Sequence, residues 1–255
     1  MPPVTLAQMI QAAFRVTGER ESIRLALLTG LVPNLVGYLG GVFGVQFIGL
    51  SPEQAIFTVL LGGLVGRLAT LPATVRAGGD LLARRLDRAP AVDPAVAIGR
   101  AFRLYGLFLA AVSTTMALSL IAALSLGEGA LSMLVQLALV VVTVYVILGF
   151  TMAPQAVFYE DEATVARSFA IIKGDRPRVA AFLLVITLPF FFAGILVTAL
   201  GGSDPAEPVA LVLSLVTGFV MALSTGPMLV GLTVFYFAKR GEAPPVLIDP
   251  AGPRT

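Results

Sequence analysis

The chain has 255 residues, of which 57% are hydrophobic and 13% are charged, and its mean hydropathy is +0.94. Soluble domains carry about 25% charged residues, so this composition indicates an integral membrane protein. Cysteine and histidine are both absent, which excludes disulfides, thiol nucleophiles, a Ser-His-Asp triad and the usual zinc and haem ligands.

The first predicted element is an amphipathic helix over residues 5–17. Thr5 is placed to cap its start, with Gln8 at the third helical position reaching back to complete a capping box. Apolar residues recur on one face, and the opposite face carries Gln8, Gln11 and Arg15. A helix of this kind is typical of one that lies in the membrane interface.

Six hydrophobic runs follow, each long enough to cross a bilayer as a helix, which takes about 20 residues. We predict spans at about 25–47, 55–75, 104–126, 131–158, 179–200 and 209–238. In the first span, Gly37 and Gly41, and also Gly40 and Gly44, are four residues apart. This spacing allows a neighbouring helix to approach closely, although glycine is also simply common in membrane helices.

Two more amphipathic segments precede the third and fifth spans. In the earlier one, Asp93 is placed to cap a helix and Pro94 suits the first helical turn. In the later one, Asp161 is placed to cap the helix and Gly174 is expected to end it. We expect both segments to lie in the membrane interface, as we expect of the helix over residues 5–17.

The three amphipathic segments indicate an internal repeat. They align on an equivalent phenylalanine, at Phe14, Phe102 and Phe169. Each even-numbered span also has a proline in its second half, at Pro72, Pro154 and Pro227. The alternative is that amphipathic helices resemble one another through their physical chemistry alone.

The predicted fold is an all-α membrane protein with six transmembrane helices, in three repeats of an interfacial helix plus a helix pair. The repeats cover about residues 5–88, 93–158 and 161–240, within a single transmembrane domain over 1–240. Parallel repeats of this kind are known in membrane proteins and suggest a compact pseudo-threefold bundle. Residues 241–255 are expected to form a flexible cytoplasmic tail.

The basic residues predict the topology. The chain has 17 lysines and arginines, and none lies in the loops between spans 1 and 2, 3 and 4, or 5 and 6. All except Arg67 lie in the N-terminal segment, in the connections from an even-numbered span to the next odd-numbered one, or in the tail. By the positive-inside rule, both termini are therefore predicted to be cytoplasmic.

A distinctive pattern occupies about residues 150–182. It consists of a proline, an acidic residue, a Ser-aromatic pair, a Lys-Gly turn and a basic residue: Pro154, Glu162, Ser168-Phe169, Lys173-Gly174 and Arg178. Together with a last span that ends GPMLVGLTVFYFAKRGE, this pattern resembles the YciC-like bacterial inner-membrane proteins and the related membrane domain found with some glycerophosphoryl diester phosphodiesterases. Phe169 stands where tryptophan is expected.

The resemblance covers most of the chain, but it is specific only over that stretch. It implies six spans in the bacterial inner (plasma) membrane and little biochemistry. The phosphodiesterase chemistry belongs to a separate soluble domain that uses histidine and metal-binding carboxylates, so it does not transfer to this chain.

Arg67 is the only charged side chain well inside a predicted span. Such a charge costs about 2.5–3.5 kcal/mol to insert, so we expect Arg67 to snorkel, to make a structural hydrogen bond, or to contact a lipid phosphate or a substrate. Arginines at the cytoplasmic ends of the spans either bind anionic headgroups or only set the topology. The candidate lipid or substrate contacts are Arg67, Arg76, Arg100, Arg103, Arg176 and Arg178. The acidic cluster Glu160-Asp161-Glu162 either binds a cation or supplies charge to the next helix N-terminus.

These observations favour a non-enzymatic envelope protein that organises lipids or partner proteins. No histidine or intramembrane carboxylate is present to act as acid or base, and we predict no catalytic residue, cofactor or metal site. Membrane lipids, including anionic ones, are the expected partners, and nucleic acid is not. The alternative function is a small transporter or lipid translocator, with a cavity lined by Arg67 and the polar residues of spans 1, 3 and 4.

Overall fold

The computed structural model describes residues 4–126, 129–160, 163–199 and 208–248, and within these ranges the regular secondary structure is helical. The helices, in chain order, are α1 Leu6–Phe14, α2 Arg20–Ala26, α3 Val32–Gln46, α4 Pro52–Arg85, α5 Pro94–Leu126, α6 Ala130–Phe150, α7 Ala153–Tyr159, α8 Val165–Ile172, α9 Arg176–Ala199, α10 Pro208–Ala222 and α11 Thr225–Lys239. A π-helical turn, Leu27–Leu31, joins α2 to α3.

Six helical stretches are long and apolar enough to cross a membrane. They are Arg20–Gln46, Phe57–Arg85, Pro94–Ser119, Ala130–Tyr159, Arg176–Val197 and Val212–Lys239. The prediction of an all-helical fold with six candidate spans is therefore confirmed, and the chain suits a multi-pass membrane protein. The three-repeat arrangement stays a prediction.

Several helix ends follow the sequence signals. At α1, the Thr5 amide donates to Gln8 Oε1 at 2.8 Å and the Gln8 amide donates to Thr5 Oγ1 at 3.3 Å, so the predicted capping box is present. Asp93 caps α5, because its Oδ1 accepts from the Ala95 amide at 2.8 Å. Gly174 follows α8 with φ +86°, a left-handed conformation that only glycine adopts easily.

The predicted start of α8 at Asp161 is wrong, since the helix begins at Val165. The cap is Thr164, whose hydroxyl accepts from the Arg167 amide at 3.2 Å. Threonine is nearly as good a cap as aspartate, so the chain has two caps in reach and the later one is used. Asp161 itself lies outside the described residues.

Prolines disturb three of the six candidate spans. The π-turn Leu27–Leu31 lies directly before Pro33, where the missing N–H and the ring disrupt an α-helical turn. The fourth and sixth spans each break just before a proline, so that Pro154 and Pro227 fall in the first turn of a new helix, where no N–H is needed. Pro72, in contrast, lies within the uninterrupted α4.

We predicted that the second amphipathic segment forms a separate interfacial helix, and this is wrong. The segment is the first part of the continuous 33-residue α5. The first and third segments end in turns, at residues 15–18 and at 173–175. In the second segment, Gly106 stays helical, and no residue within the described part of α5 has a positive φ. The sequence there lacks a helix terminator of the Lys-Gly kind, so the helix runs on.

The contacts divide the chain into two compact units. Unit 1 comprises residues 1–90 and 181–255, and unit 2 comprises residues 91–180. In unit 1, α1 packs on α11, and α2 packs on α4 and α11. In unit 2, α8 packs on α6 and α7, and α5 packs on α6 and α7. The single domain over 1–240 stays a prediction.

Among the described helices, α3 and α4 of unit 1 share the most extensive contact. A Cβ at Gly37 would lie 2.8 Å from the carbonyl oxygen of Val59, and one at Gly40 would lie 2.7 Å from that of Thr58. From the other side, a Cβ at Gly62 would lie 2.7 Å from the carbonyl oxygen of Val36. The predicted close approach is confirmed, because the two backbones meet where both helices carry glycine.

We predict that Gly37→Ala lowers the free energy of unfolding by about 1–3 kcal/mol, because overpacking at a backbone contact forces the helices apart. Thermal unfolding in detergent measures this as a lower Tm. Gly106→Ala is the matched control, since a Cβ there meets nothing within 4 Å. Equal Tm values for the two variants would contradict the packing described here.

Candidate functional site

Arg67 lies on α4, at the edge of the face that meets α3, one turn after Gly63. Gly62 and Gly66 of α4 touch α3, and Arg67 is exposed. At 1.5 Å per residue, Arg67 is about 13 Å along the helix from Arg76, near the middle of the apolar part of the span Phe57–Arg85. Among the described residues, its guanidinium makes no hydrogen bond or ion pair.

Two other predicted contacts, Arg76 and Arg103, are also exposed and have no ion pair within the described part of the chain. Arg76 follows the apolar part of α4 in unit 1, and Arg103 lies in the first three turns of α5 in unit 2. Arg76 follows an apolar run and Arg103 precedes one. From such a position, a guanidinium reaches the headgroup region of a bilayer.

Several arginines of unit 1 are engaged inside the protein. Arg84 Nη1 pairs with Glu21 Oε1 at 2.5 Å, and Arg85 pairs with Glu19. The second pair is the more buried, with 12% of the Arg85 side chain and 22% of the Glu19 side chain exposed. These contacts hold the end of α4 against the start of α2, so the two arginines have a structural partner.

A second cluster joins the end of α4 to the end of α11. Arg88 pairs with Glu242, and its guanidinium lies 4.8 Å from the ring centroid of Phe237. Arg240 pairs with the same carboxylate at 2.8 Å and donates to the hydroxyl of Tyr236 at 2.7 Å. A cation over an aromatic face adds about 0.5–1 kcal/mol at an exposed site. These arginines therefore contribute to packing as well as to charge.

In unit 2, three of the predicted contacts have partners in the chain. Arg100 donates to the carbonyl oxygen of Glu160 at 2.5 Å, and Arg178 pairs with Asp175 at 3.1 Å. The guanidinium of Arg176 lies 4.8 Å from the ring centroid of Tyr145, and its buried Nε has no hydrogen-bond partner among the residues that the structure describes. These three side chains are half-buried and are less open to a ligand than Arg67, Arg76 and Arg103.

The break between α6 and α7 is closed by Ser168 of α8. The Ser168 hydroxyl donates to the carbonyl oxygen of Gly149 at 2.5 Å and accepts from the Met152 amide at 3.1 Å. Beside it, the Phe169 ring lies so close to Gly149 that no side chain fits at that position. The Ser-aromatic pair of the sequence pattern is therefore the contact that docks α8 onto the broken span.

Several polar residues of spans 3 and 4 form hydrogen bonds within the protein. Thr114 and Thr143 donate to carbonyl oxygens four residues earlier, each at 2.8 Å. Ser119 and Gln136 bond to each other between α5 and α6, with the Gln136 amide donating to the Ser119 carbonyl oxygen at 2.8 Å. These bonds leave little polarity for a transport pathway.

Of the acidic cluster, Asp161 and Glu162 lie outside the described residues. Glu160 pairs with Arg167 of α8 at 3.2 Å, as expected for a carboxylate placed near the start of that helix. Within the described ranges, no group of three or more acidic, histidine or cysteine residues is arranged to hold a metal ion.

Sequence reasoning missed the acidic partners of the cytoplasmic arginines. Glu19 and Glu21 were separated from Arg84 and Arg85 by more than 60 residues of chain. The one available signal was charge complementarity between the Glu-Arg-Glu sequence that starts α2 and the Arg-Arg pair that ends α4. The role of Ser168 had no signal of its own, apart from its place in the pattern.

Comparison of the chain with protein-family models, with curated proteins and with solved structures found no match. The resemblance to the YciC-like proteins therefore stays an expectation.

We predict that Ser168→Ala lowers the free energy of unfolding by about 1–3 kcal/mol, because it leaves a buried carbonyl and a buried amide without a partner. Thermal unfolding in detergent is the measurement. Ser113→Ala in α5 is the control, since Ser113 is exposed. If the two variants unfold at the same temperature, Ser168 does not close the helix break.

Proposed function

We propose that this chain is a non-enzymatic, multi-pass protein of the bacterial inner membrane that binds and organises anionic phospholipids. The observation that carries the proposal is a contrast among the candidate arginines. Arg100, Arg176 and Arg178 have partners within the chain. Arg67, Arg76 and Arg103 are exposed beside or within apolar runs and have no acidic partner among the described residues.

The proposal follows from the electrostatics of the bilayer. A Lys or Arg near an anionic membrane surface gains about 1 kcal/mol from the lipids, and an arginine matches a phosphate in a bidentate geometry. Arg67 has the strongest need for such a partner, because an uncompensated charge inside a span is costly. A second copy of this chain supplies no carboxylate at that depth, since the sequence has no acidic residue in the apolar part of any span.

The proposed topology is consistent with this role. With both termini and the basic connections in the cytoplasm, Arg76 and Arg103 face the cytoplasmic leaflet, which is the leaflet whose charge attracts basic juxtamembrane segments. The YciC-like resemblance supports the inner membrane as the location.

We predict that Arg67→Ala reduces the anionic phospholipid that the purified protein retains, by about fivefold for each lipid contact of about 1 kcal/mol. Native mass spectrometry of the intact protein in mild detergent measures bound lipid and subunit number together. Arg84→Ala is the matched control, because Arg84 has an acidic partner in the chain. Unchanged retention in Arg67→Ala would overturn the proposal and make Arg67 a structural residue.

A second candidate function is lipid translocation, and it is favoured by Arg67 alone. A phospholipid whose phosphate binds Arg67 has its headgroup well below the headgroup layer, near the middle of the span. Binding at this depth lowers the barrier for that lipid to cross the bilayer. Proteoliposomes with a fluorescent lipid distinguish the two functions. Faster exchange between leaflets that is lost in Arg67→Ala would support translocation, and no exchange would leave lipid organisation.

A further inference from the structure

A cavity of about 210 Å³ lies between α1, α11 and the segment after α11. All of these elements belong to unit 1. A single water molecule needs about 10–15 Å³ of comparable space, so the cavity accepts a much larger group. None of the candidate arginines of the sequence analysis lines it.

The wall formed by α1 is polar. Gln8, Gln11 and Arg15 all line the cavity, and their spacing of three and four residues places them on one face of the helix, over about 10 Å. Gln8 Oε1 accepts from the Thr5 amide at 2.8 Å, which directs the donating side of its amide away from the helix start. This wall therefore offers hydrogen-bond donors from two amides and one guanidinium.

The charge of the cavity is positive. Arg15 is exposed and has no ion pair among the described residues, and no acidic residue lines the cavity. Arg15 also follows the last residue of α1, where a cation is favourable with the helix dipole. That effect explains a basic residue at this position, and the capping box explains Gln8, but neither explains why Gln11 lines the same cavity.

The opposite wall is apolar and held in place. Val234 of α11 and the segment Pro244-Pro245-Val246-Leu247 form it, and Val4 and Ala12 add apolar surface on the side of α1. Just after the prolines, the Val246 amide donates to Asp87 Oδ1 at 2.9 Å, and the segment continues as an antiparallel bridge between Leu86 and Leu247. The first half of the predicted flexible tail thus forms a fixed wall, and residues 249–255 lie outside the described residues.

We infer that this cavity is a second lipid site, which binds the phosphate headgroup of an anionic phospholipid. The phosphate contacts Arg15 and the two glutamine amides, and the start of the acyl chains lies along the valine and proline wall. A cavity with donors on one side and apolar groups on the other matches an amphiphile better than a free anion. The interfacial position of α1 stays a prediction, and it would put the cavity at headgroup depth. The inference rests on the proposed function and adds a site that is separate from Arg67.

The test uses the full chain in detergent with dioctanoyl phosphatidylglycerol as the probe, titrated by native mass spectrometry. Arg15→Gln is expected to weaken binding of the probe about tenfold or more, because it removes a charge-assisted contact to the phosphate. Gln11→Leu is expected to weaken it by a smaller factor. Arg20→Gln is the matched control, since Arg20 is exposed and lacks an ion pair among the described residues but does not line the cavity.

Equal binding by Arg15→Gln and Arg20→Gln, in variants with the Tm of the parent protein, would overturn the inference. Equal binding of dioctanoyl phosphatidylcholine would also overturn it, because that lipid has no net charge. If millimolar inorganic phosphate displaces the lipid probe and binds with the same affinity as the probe, the cavity is a site for a free anion instead. These results are independent of the Arg67→Ala measurement, so failure of this site and failure of the proposed function are distinguishable.

Discussion

The fold depends on one constraint: inside a bilayer, every backbone N–H and C=O must find a partner within the protein. Helices meet this constraint by themselves, and the places where they do not are the places where side chains intervene. A π-turn accommodates the missing N–H of Pro33. Ser168 supplies the bonds that the break before Pro154 removes, and threonines return their hydroxyls to their own helices. Most of the polarity within the spans is therefore used to complete the backbone.

The same apolar environment determines where charged side chains lie and which of them have partners within the protein. A charge at the end of a span is inexpensive, and most of the arginines there pair with acidic residues, as Arg84 does with Glu21 and Arg85 with Glu19. An exposed pair contributes about 0–1 kcal/mol, and the more buried Arg85–Glu19 pair also loses solvation of both charges, so the main effect of these pairs is to join helix ends and to neutralise charge. Arg100 and Arg176 have no acidic side chain but contact a carbonyl oxygen and an aromatic ring within the chain. Arg67, Arg76 and Arg103 have no such contact among the described residues and are exposed to the surroundings. This contrast makes lipid binding the most economical account of Arg67.

Much of the fold could be predicted from the sequence because it follows from local rules. Hydropathy gave the six spans, and the capping residues gave the starts of α1 and α5. The start of α8 was missed because Thr164 and Asp161 are both good caps, and a sequence does not rank two caps three residues apart. The prolines alone do not show where a helix breaks, since Pro72 stays within α4 while the chain breaks before Pro154, where Ser168 supplies the missing bonds. The cavity beside Arg15 was not predictable, because its wall comes from residues more than 200 positions away, brought together only by the fold.

The central claim is that the basic ends of the helices lie on the cytoplasmic side of the membrane, where the arginines meet anionic lipid. The chain has no cysteine, so a single introduced cysteine reports its own location. Ser51→Cys, in the loop between α3 and α4, and Ala89→Cys, after α4, are both at exposed positions. A membrane-impermeant maleimide applied to intact spheroplasts should label Ser51→Cys and should label Ala89→Cys only after lysis. Labelling of Ala89→Cys in intact spheroplasts would contradict the account.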